Sequence, residues 1–517
     1  MIDVPVESGT ARARRWWALA LLLALFVGLW PILAGERVTN DDLKFVRGTA
    51  SEGTPLAAIA DAWRHGHSFR PLEIMVGSTC DPVTLRPGIT AAVQAAGLAT
   101  LLLAVGALAR MVAPAFPAAA PLAAVLLLLS PGTTNGLWQM DAASQTWSAA
   151  LGTVALVLAW RGARAALTGR SVGRHALLLA AVFLVGCTVK ETFYGWSLAI
   201  GLALSVAAVV VRRAGRQGAG RVALLLLPCV ALPVLHAALR VTTGALGTTP
   251  AGGEGGRYQA EFGVNLLINA AFSVAGSLAN GPFHLVTDSS ASPILRLLPL
   301  VSCLFLVGAL IVACGFKWVH RREGDGSMAR ALAASGTCLL STAATLPAGS
   351  VSELYCFGAN VGVSILVAVA LVSLWNPVSR DERLLGRSVA GVTLAAVLLV
   401  GAFGLAGRAY HHWVTWQYAE LTNQAILAHA ASVDPVDPAS GKAAGVIYLS
   451  SPCILGRTYG QYVIPPAQAI GIDSTQPWLL RRDPTRPLVF SANSPPGVLR
   501  PGDMVLDCST MPKRANW

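Results

Sequence analysis

The sequence predicts an α-helical polytopic protein that crosses a membrane about eleven times. Of its 517 residues, 54% are hydrophobic and only 12% are charged, whereas soluble domains carry about 25% charged residues. The apolar residues form runs of membrane-spanning length, and short basic segments separate many of those runs. These features are typical of an integral membrane protein rather than of two or three soluble domains.

Eleven apolar stretches are candidates for transmembrane helices, since a helix needs roughly 20 apolar residues to cross the hydrocarbon core. The first follows a basic flank and is interpreted as a retained helix rather than a cleaved signal peptide. The third is short and begins among prolines, so its bounds are the least well defined. The stretches lie at about 16–34, 89–110, 117–131, 145–161, 175–190, 195–211, 222–240, 294–316, 331–348, 357–375 and 388–405.

The basic residues predict the orientation of the chain. A net charge of +12 would also fit a nucleic-acid-binding protein, but these residues lie between apolar runs, as topology signals do. If the eleven spans alternate, six short segments on one side hold 19 of the 38 Lys and Arg residues. The positive-inside rule then places the N terminus in the cytoplasm and the loops 35–88 and 241–293 outside.

Two domains are expected. Residues 1–405 form the transmembrane domain, and residues 406–517 form a small α/β domain on the outer face. The tail opens with a predicted amphipathic helix, and three predicted strands follow it: "AGVIYLSS", "RPLVFSA" and "GDMVLDCS". Cys453 and Cys508 both lie in this external region, where they are either a disulfide or two free thiols.

Polar and aromatic residues gather at the predicted outer ends of the spans. Asp, Glu, Lys and Arg are absent from the middle of every span, which argues against a proton-coupled transporter with carboxylates at the midplane. The pattern favours a cleft that faces outward at the lipid boundary. Five segments supply it: Asp41–Asp42, "RHGHSFRPLE" (64–73), "NGLWQMDAASQ" (135–145), "KETFYGW" (190–196) and "SELYCFGAN" (352–360).

These residue types indicate transfer from a lipid phosphate to a hydroxyl. Asp41 or Asp42 would take a proton from the incoming hydroxyl as a general base. Arg70 offers a fixed fork of donors to a phosphate oxygen, and Lys190 offers a point charge. His65 and His67 would hydrogen-bond to the same group.

Each signal also has a structural interpretation. Adjacent acids after a helix are more often a solvated loop, and "FRPL" could be a turn before the second helix. Lys190 and Glu191 could form an ion pair at a helix end, and "SELY" could only cap a span. Trp138 and Trp196 could belong to the interfacial aromatic belt, an interpretation favoured for Trp196.

Taken in order, the segments resemble the GT-C superfamily of polytopic glycosyltransferases, especially bacterial proteins similar to protein O-mannosyltransferases. Asp41–Asp42 matches the acidic pair after the first helix in that superfamily, and Phe69–Leu72 matches its "(Y/F)RPL" motif. The "NGLWQMDAASQ" loop and Lys190–Glu191 match a later Trp-containing loop and a "KE" pair. "SELY" matches a late motif loosely, because Leu354 stands where that motif has Arg.

The resemblance implies a GT-C-like bundle and a sugar donor linked to polyprenyl phosphate. Asp41 would be the base with Asp42 in support, and Arg70, Lys190 and His67 would bind the donor phosphate. The substrate-binding residues would be Glu191, Trp138, Glu353 and Tyr355. No cofactor or metal ion is expected, although an acidic pair is able to hold a divalent ion.

The sequence therefore predicts a membrane glycosyltransferase that uses a hydroxyl acceptor of the cell envelope, with its active site outside the bacterial cytoplasmic membrane. A flippase or transporter of lipid-linked sugars and a non-catalytic scaffold are the alternatives. Within loop 241–293, "FGVNLLINAAFSVAGSLANGPFHL" is apolar but interrupted. It is either an interfacial gate over the donor site or a buried re-entrant piece, with the first favoured slightly.

Overall fold

The protein is mostly helical. The structure is a computed structural model, in which eleven α-helices, one 3₁₀ helix and three β-strands are described. It describes residues 89–130, 132–133, 143–190, 192–215, 218–242, 263–279, 293–319, 326–347, 356–375, 380–437, 440, 442–449, 488–491 and 496–506.

The helices follow one another with short connections through most of the chain. In order they are α1 (Ile89–Val112), α2 (Ala119–Leu128), α3 (Ala143–Leu167), α4 (Gly173–Val189), α5 (Phe193–Arg213), α6 (Ala219–Thr242), α7 (Val264–Ala279), α8 (Pro293–Val319), α9 (Ser327–Leu340), the 3₁₀ helix η1 (Ser341–Thr345), α10 (Phe357–Trp375) and α11 (Arg380–Ser432).

Seven of these helices are long and apolar enough to cross a bilayer: α1, α3, α5, α6, α8, α10 and the first part of α11. The protein is therefore a helical membrane protein by the length and composition of its helices. Three further apolar helices, α2, α4 and α7, have 10 to 17 residues in their apolar part. The predicted count of eleven spans is not confirmed, and the first predicted span, 16–34, lies outside the described residues.

The predicted span 331–348 is built from two kinds of helix. The 14 residues of α9 run directly into the five residues of η1. At 1.5 Å per α-helical residue and about 2 Å per 3₁₀ residue, together they extend about 31 Å. That length is close to the roughly 30 Å of a bilayer core, although α9 alone falls short of it.

Contacts between helix termini define two ends of the bundle. The start of α3 meets the end of α4 through Ser144 and Lys190, and the end of α3 meets the start of α6 at Gly162 and Leu225. We call the first the Lys190 end; it includes the start of α5, η1 and the start of α10. The opposite end, called the arginine end, holds the α3–α4 and α5–α6 connections.

Helix α10 lies at the centre of the bundle. In its apolar 18-residue stretch, 89% of the residues are buried inside the protein, whereas the corresponding stretches of the other long apolar helices are buried by half or less. It contacts α1, α2, α3, α7, α8, α9 and α11. Small residues allow the closest approach: the Ser335 hydroxyl of α9 donates to the Gly362 carbonyl at 2.6 Å, and there is no room for a side chain at Gly362.

Helix α7 turns a polar face toward the protein and an apolar face outward. Asn265, Asn269, Ser273 and Ser277 are spaced by four residues and so share one face, on which the last three are buried. On the opposite side, Val264, Leu267 and Ile268 are exposed. This helix covers residues 264–279 of the interrupted apolar segment in loop 241–293, and it packs on α8 and α10.

The tail begins within one continuous helix. The predicted amphipathic segment after residue 405 is the second part of α11, a single helix of 53 residues. The three predicted strands are present as β1 (Gly445–Leu449), β2 (Leu488–Ser491) and β3 (Met504–Leu506), in a parallel sheet of order β2-β1-β3. The predicted division into two domains remains a prediction, and Cys453 and Cys508 lie outside the described residues.

Two glycines of α5 provide a test of this packing. A Cβ on Gly195 would overlap the Ser341 carbonyl oxygen of η1, whereas a Cβ on Gly201 would lie 3.8 Å from the Cys229 Cβ, an ordinary contact. We expect Gly195→Ala to destabilise the protein by about 1–3 kcal/mol through overpacking. The control Gly201→Ala should be neutral or slightly stabilising, because alanine favours helix. Thermal unfolding in detergent would measure both, and equal stabilities would contradict the close contact at Ser341.

Candidate functional site

Of the predicted site residues, Lys190 is the one that the structure describes. It is half-buried and caps the C terminus of α4 in an extended conformation. The roles of the remaining residues stay predictions, since they lie outside the described residues: Asp41, Asp42, His67, Arg70, Trp138, Glu191, Glu353 and Tyr355.

The Lys190 side chain is held by the start of α3. Its Nζ donates a hydrogen bond of 3.0 Å to the Ser144 hydroxyl. Ser144 is the tenth residue of "NGLWQMDAASQ", so this bond joins two of the five polar segments. A cation held in this way is able to bind a phosphate oxygen as a charge-assisted donor.

A second set of hydrogen bonds ties the same two segments together. The Thr192 hydroxyl donates to Gln145 Oε1 at 3.0 Å and shares a hydrogen bond of 2.9 Å with the Ser148 hydroxyl. Gln145 and Ser148 are buried. Because buried hydroxyls and amides are costly to leave unpaired, this set fixes the α4–α5 turn against α3.

The third segment joins through η1. The Ser341 carbonyl contacts Gly195 of "KETFYGW", and the Ser341 hydroxyl contacts Gly358 of "SELYCFGAN". Glycine is required at both positions, since a Cβ there would overlap Ser341. Three of the five polar segments therefore meet at the Lys190 end of the bundle.

Aromatic residues pack behind Lys190. Phe193 is fully buried against Gly186 and makes an edge contact with Phe183, with ring centroids 5.3 Å apart. Trp196 is only 3% exposed and lies over Gly152 of α3. The interpretation of Trp196 as an interfacial belt residue is therefore wrong, because its ring fills a space between two helices instead of facing lipid headgroups.

A polar contact zone between α7 and the start of α10 lies at the same end. The Asn269 amide donates to the Leu346 carbonyl at 2.8 Å, and the Cys356 thiol lies 3.7 Å from the Ser273 hydroxyl. Asn360 lies in the first turn of α10, and Cys356 is the residue that immediately precedes this helix. Asn360 is 1% exposed, and neither atom of its amide has a hydrogen-bond partner in the described part of the chain.

Sequence reasoning did not single out Ser148, Thr192, Ser341 or Asn360, although Thr192 and Asn360 lie inside two of the five polar segments. Thr192 lies inside a quoted motif, but small polar residues at helix starts are common, and nothing in the sequence pairs it with a residue 44 or 47 positions away. Ser341 lies within a predicted span and carries no separate signal. Within the described ranges, no group of three His, Cys, Asp or Glu residues could hold a metal ion.

No protein-family model matches the chain, and no curated protein matches it by sequence. The chain is similar in structure to the oligosaccharyltransferase of Archaeoglobus fulgidus in its apo form, with a TM-score of 0.43 and 12% identity. It is likewise similar to AglB of that organism in complex with an inhibitory peptide and a dolichol-phosphate, with a TM-score of 0.43 and 13% identity. Each match covers 78% of this chain, and the chain spans 58% of the length of the archaeal protein.

Thr192 offers a test of the hydrogen bonds at this site. Thr192→Val keeps the shape of the side chain but removes the hydroxyl that bridges Gln145 and Ser148. We expect a loss of about 1–3 kcal/mol in the free energy of unfolding, because buried polar atoms lose a partner. The control is Thr188→Val on α4, whose hydroxyl donates to the Val185 carbonyl of its own helix and to no other group among the described residues. Chemical or thermal unfolding would measure the difference, and equal losses would show that the bridge adds nothing.

Proposed function

We propose that this protein is a membrane glycosyltransferase that moves a sugar from a polyprenyl-phosphate donor to a hydroxyl acceptor. Asp41 acts as the general base with Asp42 in support. Lys190, Arg70 and His67 bind the donor phosphate, and Glu191, Trp138, Glu353 and Tyr355 contact the substrates. The acceptor is a hydroxyl compound of the cell envelope.

The contact between Lys190 and Ser144 carries this proposal. These residues belong to two of the segments that resemble GT-C motifs, "KETFYGW" and "NGLWQMDAASQ". They are 46 positions apart in the chain, yet a hydrogen bond of 3.0 Å joins them. A third such segment reaches the same end of the bundle through Ser341. Convergence of separate loops on one end is what a cleft for a lipid-linked substrate requires.

The charge distribution supports an extracytoplasmic site. The α3–α4 and α5–α6 connections and the adjoining helix ends hold seven described arginines and lie at the opposite end from Lys190. Short basic connections face the cytoplasm in membrane proteins. The Lys190 end therefore faces outward in the proposed orientation, in the cytoplasmic membrane of a bacterium.

Helix α7 is the proposed cover of the donor site. Its apolar face is exposed, as expected of a helix in contact with acyl chains, and its polar face meets α10 beside Cys356. A lipid-linked sugar that enters from the bilayer would pass this helix before it reaches Lys190. The buried Asn360 amide, with both a donor and an acceptor, is of the type that binds sugar hydroxyls.

Asp41 provides the test of catalysis. Asp41→Asn keeps the shape of the side chain and removes the base, so we expect a 10²- to 10⁴-fold loss of transfer rate with donor binding retained. Purified protein would be assayed against a panel of polyprenyl-phosphate sugars, with donor binding measured on the same samples. Undiminished transfer by Asp41→Asn would exclude this residue as the base. Donor movement across vesicles without any transfer would instead favour a flippase.

Lys190 provides the test of donor binding. Lys190→Gln removes the charge but retains a group that can hydrogen-bond to Ser144, so the helix contact survives. A hydrogen bond to a charged group contributes about 1.5–3 kcal/mol, and its loss should raise the donor Kd by roughly 10- to 100-fold. Lys190→Arg, the matched control, keeps the charge and should retain much of the affinity. A donor Kd that is the same in all three proteins would remove Lys190 from the phosphate site.

A further inference from the structure

Seven exposed arginines are concentrated at the arginine end of the bundle. They come from two connections, α3–α4 and α5–α6, together with the adjoining helix ends. All seven side chains are exposed. We call them the arginine surface, which consists of Arg161, Arg164, Arg170, Arg174, Arg212, Arg213 and Arg221.

The two connections form one surface. A Cβ on Gly218, before α6, would lie 2.6 Å from the Ala166 carbonyl oxygen of α3. The Arg221 guanidinium extends across this junction, since its Nη1 lies 3.8 Å from the Cβ position of Gly169 in the α3–α4 turn. Arginines that are up to 60 positions apart in the sequence therefore share a single face.

This part of the sequence has almost no carboxylates. Between residues 161 and 221 the one acidic residue is Glu191, which is next to Lys190 in the chain. The connections at 317–330 and 380–387 are different, because each contains two acidic residues among its basic ones. Orientation in the membrane depends on Lys and Arg, and acidic residues contribute little to it. A topology signal alone therefore does not explain why this surface excludes them.

The guanidinium groups also have no structural use within the described part of the chain, where the side chain of none of the seven makes a hydrogen bond or an ion pair. Other arginines at this end are used by the fold. Arg330 donates from Nε to the Val112 carbonyl at 2.7 Å, and Arg387 donates from Nε to the Trp375 carbonyl at 3.4 Å. The donors of the arginine surface are thus available to a ligand with several anionic oxygens.

Apolar side chains lie beside these arginines. Leu167, Val210 and Leu224 are 46%, 59% and 47% exposed, and each is three residues from an arginine of the surface. A ligand that has both a phosphate and acyl chains satisfies both kinds of group. A soluble polyanion would leave the apolar side chains without a partner.

We propose that the arginine surface binds the headgroups of anionic phospholipids in the adjacent leaflet. The phosphates accept hydrogen bonds from the guanidinium groups, and the acyl chains lie along the exposed residues of α3, α5 and α6. This binding site lies at the opposite end of the bundle from Lys190 and does not depend on the proposed transferase activity.

Lipid preference in nanodiscs tests the proposal. The full chain would be reconstituted in phosphatidylcholine with a small fraction of spin-labelled phosphatidylglycerol, and the protein-associated fraction of the label would be measured. The double variant Arg170→Gln/Arg174→Gln should lose about fivefold in preference for each arginine removed. The control Arg110→Gln/Arg383→Gln removes two exposed arginines outside the surface and should change the preference much less.

Two further measurements decide the outcome. Arg170→Lys/Arg174→Lys keeps the charge and should retain most of the preference, and unfolding in pure phosphatidylcholine verifies that the variants are folded. Equal losses in the two glutamine pairs would overturn the proposal, since they would show a general effect of net charge. No loss in either pair would overturn it as well, as would binding of a soluble oligonucleotide with no preference among lipids.

Discussion

The organisation of the Lys190 end depends on the close approach of three helical segments at Ser341. Inside a bilayer, helices gain little from burying apolar side chains against one another, so packing through small residues holds them together. Gly195 of α5 and Gly358 of α10 provide that packing, with the carbonyl of Ser341 against the first and its hydroxyl against the second. Because both contacts involve one residue, a shift of η1 would move the segment that carries Lys190 away from the start of α10.

Hydrogen bonds between polar side chains add to this helix packing at the Lys190 end. Thr192 bridges Gln145 and Ser148, and Lys190 bonds to Ser144, so five side chains of the α3 start and the α4–α5 turn are held by hydrogen bonds. Hydrogen bonds are stronger away from water, and an unpaired polar group is more costly there. The position of the Lys190 ammonium group is thus set by these hydrogen bonds, because a shift of one side chain would break the bond of its partner. A phosphate that bound to Lys190 would meet a donor that is already oriented, which lowers the entropic cost of binding.

The sequence predicted helix positions better than contacts between helices. Apolar runs locate membrane helices because the backbone must satisfy its own hydrogen bonds in hydrocarbon, and the described predicted spans each correspond to a helix. The hydropathy of the sequence does not indicate that α9 changes into η1 at Ser341. That change accompanies contacts with Gly195 and Gly358, which lie far away in the sequence. Lys190 was predicted from the "KE" pair, whereas its partner Ser144 was not. The assignment of Trp196 was wrong because the sequence does not show whether an aromatic residue near a helix end faces lipid headgroups or the protein core. The ring is buried because Gly152, on another helix, leaves space for it.

The two ends of the bundle hold their cations in opposite ways, and this difference is consistent with the separate functions proposed for them. Lys190 is half-buried and bonded to the protein, so its position is fixed and a single anion can be oriented against it. The side chains of the seven arginines at the other end are exposed and form no hydrogen bond or ion pair in the described part of the chain, so their positive charges are not held in a fixed geometry. A fixed charge suits chemistry, which requires reacting atoms to be placed within a fraction of an ångström. A diffuse field suits a fluid leaflet of lipids, in which the partners exchange and only their charge is shared.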